Sequence, residues 1–431
     1  MTRKGGAEDP GRAGPAAPRG AGAGDPWGAG EGALRIAGAA ASALRGGGAT
    51  GGANLLAVRG HNTALVLDLL RTAGAEGISR LELAERTGLT PQAVSKITAR
   101  LRAERLVTEA GHRASTGGKP RTVLRLVPEA GYAVGVHVDR DETRVVLADL
   151  TGATVAGLRT PLDLGAGAEA VLGRVAGEVT ALVERVLGGG GDLCAAPAGP
   201  LLGVGVALPG PLDHVSGVLH RVTGFPEWDG FPLRAELARR LGVPVVVDKD
   251  TNAAALRLAV GGAGDDGTVH GGDGAGGGRA GGSFAYLHVG TGLGAGLVIG
   301  GAVHRGARTG AGEFGHQVVQ LDGPPCGCGN RGCVEALCLA AVARGDLTEA
   351  ARVLGTGAGN LVALLDIDLV LLGGRTVAAA PEVFADGVAA VLAERARRTG
   401  EPPVPVRVAS GGVAEGAAQL VLAPLFGRTD G

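Results

Sequence analysis

Apolar side chains recur along this chain with two spacings, and the change between them marks its organisation. Leu65, Val66, Leu69 and Leu70 fall on one face of a helix predicted over residues 62–73. Residues 79–87 and 90–104 predict two further helices, each opened by a capping-type residue, and Gly88 ends the first of them. From Gly131 onward, β-branched runs alternate with helical runs. Strands are predicted at 133–138, 144–149, 203–207, 243–247, 284–289, 296–299 and 369–372, an alternation that argues for an α/β body with mixed sheets. Two stretches break the pattern. Residues 1–58 carry few large apolar side chains and are expected to form a disordered tail. Residues 261–282 are Gly-rich and read as a flexible insertion between a helix-like and a strand-like segment.

Composition narrows the classes. Of 431 residues, 82 are Gly, yet they follow no three-residue period, which excludes collagen. No stretch of about 20 residues is apolar without interruption, and no continuous apolar segment opens the chain, so neither a membrane span nor a secretory signal is expected. A cytoplasmic location follows as the expectation. Aromatic residues are only 2%, so Ala, Val and Leu carry the core. Charge is uneven. Between residues 59 and 125 there are twelve Lys or Arg against six Asp or Glu, whereas residues 126–431 hold 23 basic and 32 acidic groups. A compact basic segment ahead of an acidic body is the electrostatic footprint of nucleic-acid binding.

The basic segment has the parts of a helix–turn–helix. Ala84 is small where two helices meet, Gly88 supplies the turn, and Ala93, Val94, Ile97 and Leu101 form the buried face of the second helix. Thr90, Gln92, Ser95, Lys96 and Arg100 then face outward, the early ones placed to enter a major groove. The following residues read as a hairpin wing with Arg113, Lys119 and Arg121 at its tip. Residues 59–127 are thus expected to be a winged helix–turn–helix DNA-binding domain. A helical docking or dimerisation domain with a solvated basic face is the alternative.

A second cluster concerns metal. His316, Cys326, Cys328 and Cys333 lie within 18 residues, and Gly residues around them let the backbone wrap an ion. Three thiolates and an imidazole suit a four-coordinate structural zinc, with no position left open for water. Reduced thiols in a loop are the plainer alternative. Cys194 and Cys338 read as small hydrophobes.

Taken together, GEFGHQVV before CGCGNRGCVE, with VGVALPGPLD, WDGFPL, VPVVVDKDTNAAAL and YLHVGTGLGAGLVIGG upstream in order, resembles the ROK family of repressors, open reading frames and sugar kinases. The resemblance runs from about residue 60 to the end. It implies a two-lobed ribonuclease-H-like (actin/hexokinase) body over residues 128–431, with a sugar between the lobes and zinc beside it. It places the family's catalytic base on Asp250, with Asn252 in the same motif, and sugar contacts on Glu313, His316 and Glu335, His316 also ligating zinc.

Departures from the family pattern decide between its branches. Kinases of the family end the first strand in a Gly-rich turn that admits ATP phosphates. Here His137, Asp139, Arg140 and Asp141 stand in that turn, so the base is expected to be vestigial and the chain not an enzyme. The second Gly-rich loop, Gly290, Thr291, Gly292, Gly294 and Gly296, is intact but weak as a nucleotide signal. Lys249 and Gly224 replace two Asn residues of the family's sugar side, and the stretch between Glu335 and the strand at 369–372 is shorter than usual for the family. The expectation is a DNA-binding transcriptional repressor, a homodimer or homotetramer on paired half-sites of operator DNA, controlled by a sugar or sugar derivative. A ROK-type sugar kinase with an appended DNA-binding domain is the alternative. A regulator that answers to a protein partner is the third reading.

Overall fold

The computed structural model describes residues 55–113, 121–188, 193, 199–220, 222, 225–261 and 282–428. Most of the expected tail, Lys119 at the wing tip, Cys194, Gly224 and nearly all of the Gly-rich insertion lie outside the described residues. Among the described residues no helix is long and apolar enough to cross a membrane.

The N-terminal module comprises α1 (Leu55–Thr72), β1 (Ile78–Ser79), α2 (Arg80–Thr87), α3 (Pro91–Ala103), β2 (Val107–Arg113) and β3 (Arg121–Leu126), with its strands in the antiparallel order β1-β3-β2. Helix α1 opens at Leu55, inside the stretch expected as tail. Local chemistry explains the other ends. Ser79 and Glu82 form a capping box at the start of α2. Gly88 closes that helix at φ 69°, a left-handed conformation that glycine adopts without strain. Thr90 Oγ1 then accepts the Ala93 amide hydrogen, and Pro91 begins α3. On α3, Val94 and Leu101 are buried as expected, whereas Ala93 and Ile97 are half-exposed. Thr98 takes the remaining inward position: it lies one turn past Val94, and its hydroxyl donates to the Val94 carbonyl, which satisfies it in an apolar setting.

Two sheets of the same order make the body. The first lobe uses β4 (Tyr132–Val138), β5 (Glu142–Asp149), β6 (Thr154–Pro161), α4 (Ala168–Leu187), β7 (Leu201–Leu208), the short hairpin of β8 (Leu212–Asp213) and β9 (Val218–Leu219), α5 (Leu233–Leu241) and β10 (Val245–Lys249). Its sheet runs β10-β7-β4-β5-β6, with β10, β7 and β4 parallel and β4, β5 and β6 antiparallel. Helix α6 (Asp250–Gly261) leads out of it. The second lobe uses β11 (Phe284–Val289), β12 (Leu293–Ile299), β13 (Ala302–Val303), α7 (Val334–Ala343), α8 (Leu347–Leu365), β14 (Leu369–Gly373), α9 (Arg375–Ala379), α10 (Pro381–Thr399) and β15 (Val406–Val408), in sheet order β13-β12-β11-β14-β15. Helix α11 (Val413–Leu422) closes the body.

All seven expected strands are present, that at Phe284–Val289 with the expected ends and the others with shifted ends. The strand expected from Val243 begins at Val245, because Pro244 has no amide hydrogen for the ladder. Strand β12 starts three residues earlier than expected, since Gly294 and Gly296 lie in the strand rather than in a turn. Strands β6 and β15 carry no continuous apolar run and were not foreseen.

The lobes exchange helices. Helix α6 leaves a first-lobe strand and packs on β11, β12 and β13, while α11 leaves a second-lobe strand and packs on β4, β5, β7 and β10. Glycine makes that approach feasible: a Cβ on Gly135 or Gly205 would collide with the carbonyls of Ala414 or Ala417 on α11. The N-terminal module is welded to the same place. Val66 and Leu70 of α1 share one apolar core with Leu202, Ala418, Leu422 and Phe426 of the body.

Candidate ligand cleft and metal centre

Asp250 stands where β10 gives way to α6, so its carboxylate sits at a strand end and in the first turn of a helix. Its Oδ1 accepts the Thr251 amide hydrogen at 2.6 Å. Burial pushes the Asp250 carboxyl above its ordinary range, against the pull of His288 and Lys249. Beneath it lies a closed polar network. Asp248, 1% exposed, accepts hydrogen bonds from Arg305 Nε at 2.7 Å, Asn252 Nδ2 at 2.9 Å and the Lys249 amide at 2.7 Å. A buried carboxylate survives only with such partners, and here they fix the strand end that presents Asp250.

Around Asp250 opens a cleft, part of it open to solvent and lined from both lobes. Arg140, Lys249, Asp250 and Thr251 come from the first lobe and its outgoing helix, whereas His288, Glu313, His316 and Glu335 come from the second. The four sugar contacts implied by the family resemblance are therefore brought together in one cavity. Glu313 and His316 flank a single 3₁₀ turn, which sets them on one side of the backbone. Glu335 Oε2 accepts the Leu293 amide hydrogen at 2.9 Å, tying α7 to the second Gly-rich loop.

Lys249 fills its position differently from the Asn it replaces. Its side chain is almost wholly buried, and Nζ donates to Glu313 Oε1 at 2.9 Å and to the Ala311 carbonyl at 2.7 Å. One cation thus neutralises the Glu of the Glu-x-x-His pair across the lobes.

The β4–β5 turn carries the residues that depart from a phosphate loop. Thr291 Oγ1 donates to Asp139 Oδ1 at 3.0 Å, and Arg375 pairs with Asp141 at 2.8 Å, so both carboxylates reach the second lobe. Burial works to raise the Asp139 carboxyl, but the Arg140 amide, His137 and Thr291 outweigh it and hold it below its ordinary range. Burial drives His137 down to about 4, leaving it a neutral imidazole. His288, which lines the cleft, and the Asp248–Arg305 pair beneath it were passed over by motif reading, whereas Arg140 was noted there only as a departure from a phosphate loop. The one available signal was an acid and a base side by side in the otherwise apolar run VVVDK.

Beside the cleft, His316, Cys326, Cys328 and Cys333 bring one ligand atom each to within 4.8 Å of one another. Cys326 Sγ lies 3.7 Å from His316 Nδ1, and Cys328 Sγ lies 3.7 Å from Cys333 Sγ. Tetrahedral zinc with Zn–S bonds of about 2.3 Å sets its sulfurs about 3.8 Å apart, so the donor set fits that ion. With Nδ1 turned to the cysteines, the other ring nitrogen of His316 is left for the cleft. Cys338 is a buried core residue, as expected.

On the N-terminal module, Thr90, Gln92, Ser95, Lys96 and Arg100 are all exposed along α3 and its start. Arg100 Nη2 donates to Thr63 Oγ1 of α1 at 2.6 Å, so it braces the module in this state. Arg113 ends β2 and Arg121, exposed, begins β3.

Comparison with known proteins places this geometry. Residues 194–343 match the family model described as "ROK family". The xylose repressor of Bacillus subtilis (strain 168) is 30% identical over 258 residues, covering 60% of this chain and only 61% of the repressor's own length. A crystal structure of a ROK family transcriptional regulator, a homologue of the E. coli MLC protein, superposes with a TM-score of 0.66 over 86% of this chain and 97% of its own, a likeness of fold at 21% identity. The ROK hexokinase of Thermus thermophilus matches with a TM-score of 0.51 at 28% identity over 68% of this chain and 97% of its own. A ROK family domain is therefore present in this chain, and residues 194–343 lie within it.

Proposed function

We propose that this chain is a sugar-responsive transcriptional repressor that acts from the cytoplasm as a homodimer or homotetramer. Residues 59–127 are the DNA-binding domain and residues 128–431 the effector-binding body. Thr90, Gln92 and Ser95 read base edges, and Lys96, Arg100, Arg113, Lys119 and Arg121 meet phosphates or bases. The observation that carries this reading is a direct connection between the module and the cleft: α6 starts at Asp250 in the cleft and ends where Arg71 Nη2 of α1 donates to the Val260 carbonyl at 3.1 Å. Similarity to the xylose repressor of Bacillus subtilis points the same way.

A sugar in the cleft has its hydroxyls held by Asp250 from one lobe and by Glu313, His316 and Glu335 from the other. Its binding favours the closed state, and closure shifts α6 and α11 against each other and against α1. Two winged modules then leave the register of their half-sites. The ligand must bind one state better than the other for this to work. His316, Cys326, Cys328 and Cys333 would hold a zinc ion, which would supply structural cross-linking to the loop flanked by the cleft residues His316 and Glu335.

No phosphoryl transfer is assigned. In the first phosphate loop Asp139 and Asp141 are engaged with Thr291 and Arg375, and Arg140 stands where backbone approach would be needed. A mobility-shift titration against DNA flanking the coding sequence tests the function, with xylose, glucose and N-acetylglucosamine as effectors. Salt-sensitive binding that a sugar weakens is the expected result. ATP-dependent turnover of a hexose, lost in Asp250→Ala, would overturn it in favour of a kinase.

A further inference from the structure

Two acids of the β4–β5 turn are both spent on the opposite lobe. Asp139, itself buried, accepts the Thr291 hydroxyl hydrogen at 3.0 Å. Asp141 Oδ2 accepts from Arg375 Nη1 at 2.8 Å. The second sheet sets both partners in place. Thr291 follows the end of β11 and Arg375 opens α9 just past the end of β14, and these strands are parallel neighbours with His288 opposite Gly373. Neighbouring strands lie about 4.8 Å apart, so two acids on one turn can meet both ends. Gly374 seats Arg375: it takes φ 93°, and a Cβ there would collide with the Val289 carbonyl.

The other end of the cleft is joined differently. Asp248 and Lys249, consecutive at the end of β10, pair with Arg305 and Glu313 of the segment after β13. Between those two, buried Thr309 accepts at Oγ1 the amide hydrogen of His214, from the β8–β9 hairpin, at 3.2 Å. The side chains of Asp248, Lys249 and Arg305 are 2%, 4% and 6% exposed, whereas those of Arg375 and Asp141 are 40% and 56% exposed. Breaking a buried pair strands a charge away from water, but an exposed pair is exchanged for water at little cost. Asp139 is not stranded either when Thr291 leaves, because it keeps the Arg140 amide at 2.8 Å. The lobes therefore part more easily at the β4–β5 turn than at the end of β10.

We propose that the β4–β5 turn is an inter-lobe latch. Asp139 and Asp141 grip Thr291 and Arg375 to hold the cleft shut at this end, and the lobes open by releasing them while pivoting on the buried ties at Asp248 and Lys249. This rests on the reading above that the turn serves no phosphoryl transfer. The residues that depart from a phosphate loop thereby acquire a task of their own.

Hydrogen–deuterium exchange of the full chain, read by mass spectrometry, tests this without an effector. In Arg375→Asp two acids face each other, and exchange over residues 139–143 and 290–293 should accelerate about fivefold or more. Exchange over residues 245–250 and 305–313 should stay within about twofold of the parent. Arg375→Ala, which removes the pair without repulsion, should show the same pattern with a smaller factor. The exchanged pair Asp141→Arg with Arg375→Asp should bring residues 139–143 and 290–293 back towards the parent rates, a recovery that a merely structural role for either residue would not give. No acceleration in Arg375→Asp, or no recovery in the exchanged pair, would overturn the latch. Equal acceleration of all four segments would overturn it too, since the lobes would then part without a pivot. Magnesium ATP added to the parent separates the latch from the reading beneath it, and the expected result is no change over residues 139–143. Slowed exchange there would mean that the turn still holds a nucleotide, which overturns both. A failed latch pattern with no response to ATP would overturn the latch alone.

Discussion

At the residue scale, Asp250 shows how environment changes what a carboxylate does. Its place at a strand end was legible from its motif, and it lines the cleft between the lobes. Burial then lifts its carboxyl, so the ionised form is disfavoured in the folded protein. The stability it contributes is fully present below the ordinary value of 3.8 and is lost as pH rises through the raised folded value. Asp250→Asn keeps the oxygen that accepts the Thr251 amide and removes the charge. It should raise the thermal midpoint at pH 7 by a few degrees, about 1 kcal/mol, with the gain fading towards pH 3. Thermal scans at the two pH values check it, and a lower midpoint at pH 7 would contradict the burial argument. The supporting residues were not legible in the same way. Arg305 lies 57 residues beyond Asp248, and only the folded chain makes them partners. Arg140 could be recognised as a misfit in a phosphate loop, but Thr291 and Arg375, which engage the neighbouring Asp139 and Asp141, are brought there only by tertiary structure.

At the scale of elements, periodicity served best where it was strong. The apolar strands and helices α2 and α3 could be read because burial on both faces, side-chain caps and glycine turns leave local marks. Strand β6 could not, since its side chains alternate between half-buried and exposed at a sheet edge. The exchange of α6 and α11 between lobes has no local mark except the glycines that admit it, and those were hidden among 82. The loop from His316 to Cys333 is an element of another kind, with little apolar burial of its own: Cys326 is half-buried, and Cys328 and most of its neighbours are exposed. Its order rests on backbone hydrogen bonds, such as those from the Cys326 amide to the Asn330 carbonyl and from the Gly332 amide to the Pro324 carbonyl, and on the cross-linking that a bound ion would add. Purified protein with reduced thiols should therefore carry one zinc per chain by elemental analysis. Cys328→Ser should lose it and lower the thermal midpoint by several degrees, because a structural zinc contributes folding energy directly. Since His316 and Glu335 flank the loop, the same variant should bind sugar more weakly. Full metal occupancy in Cys328→Ser would remove that residue from the ligand set.

At the scale of the whole molecule, the proposed function requires the cleft between two lobes to be coupled to a module on the outside of one of them. Arg71 is the contact to interrogate. It pairs with Asp68 on its own helix at 2.8 Å, lies 5.2 Å from the centroid of Phe426 and donates to the carbonyl of Val260. Asp68 is also held by Arg428 at 2.9 Å. One side chain thus joins α1 to the end of α6 and to the segment after α11, the two helices the lobes exchange. In Arg71→Ala, DNA affinity without ligand and ligand affinity without DNA should each stay within about threefold of the parent. The factor by which ligand weakens DNA binding should fall towards one, from a range of roughly 5–150-fold typical of coupled sites. Mobility shifts with and without ligand measure it, and linkage supplies an internal check: DNA must weaken ligand binding by the same factor in each protein. Arg71 also supports the interface, so a loss of coupling could reflect a loosened module instead. Arg428→Ala separates the two, because it removes the other cation on Asp68 and leaves the Val260 carbonyl bonded. If α6 transmits the signal, Arg428→Ala keeps the coupling and Arg71→Ala loses it. Equal losses in both would mean that firm seating of the module is what matters, and full coupling in Arg71→Ala would mean that the signal travels through α11 and Phe426.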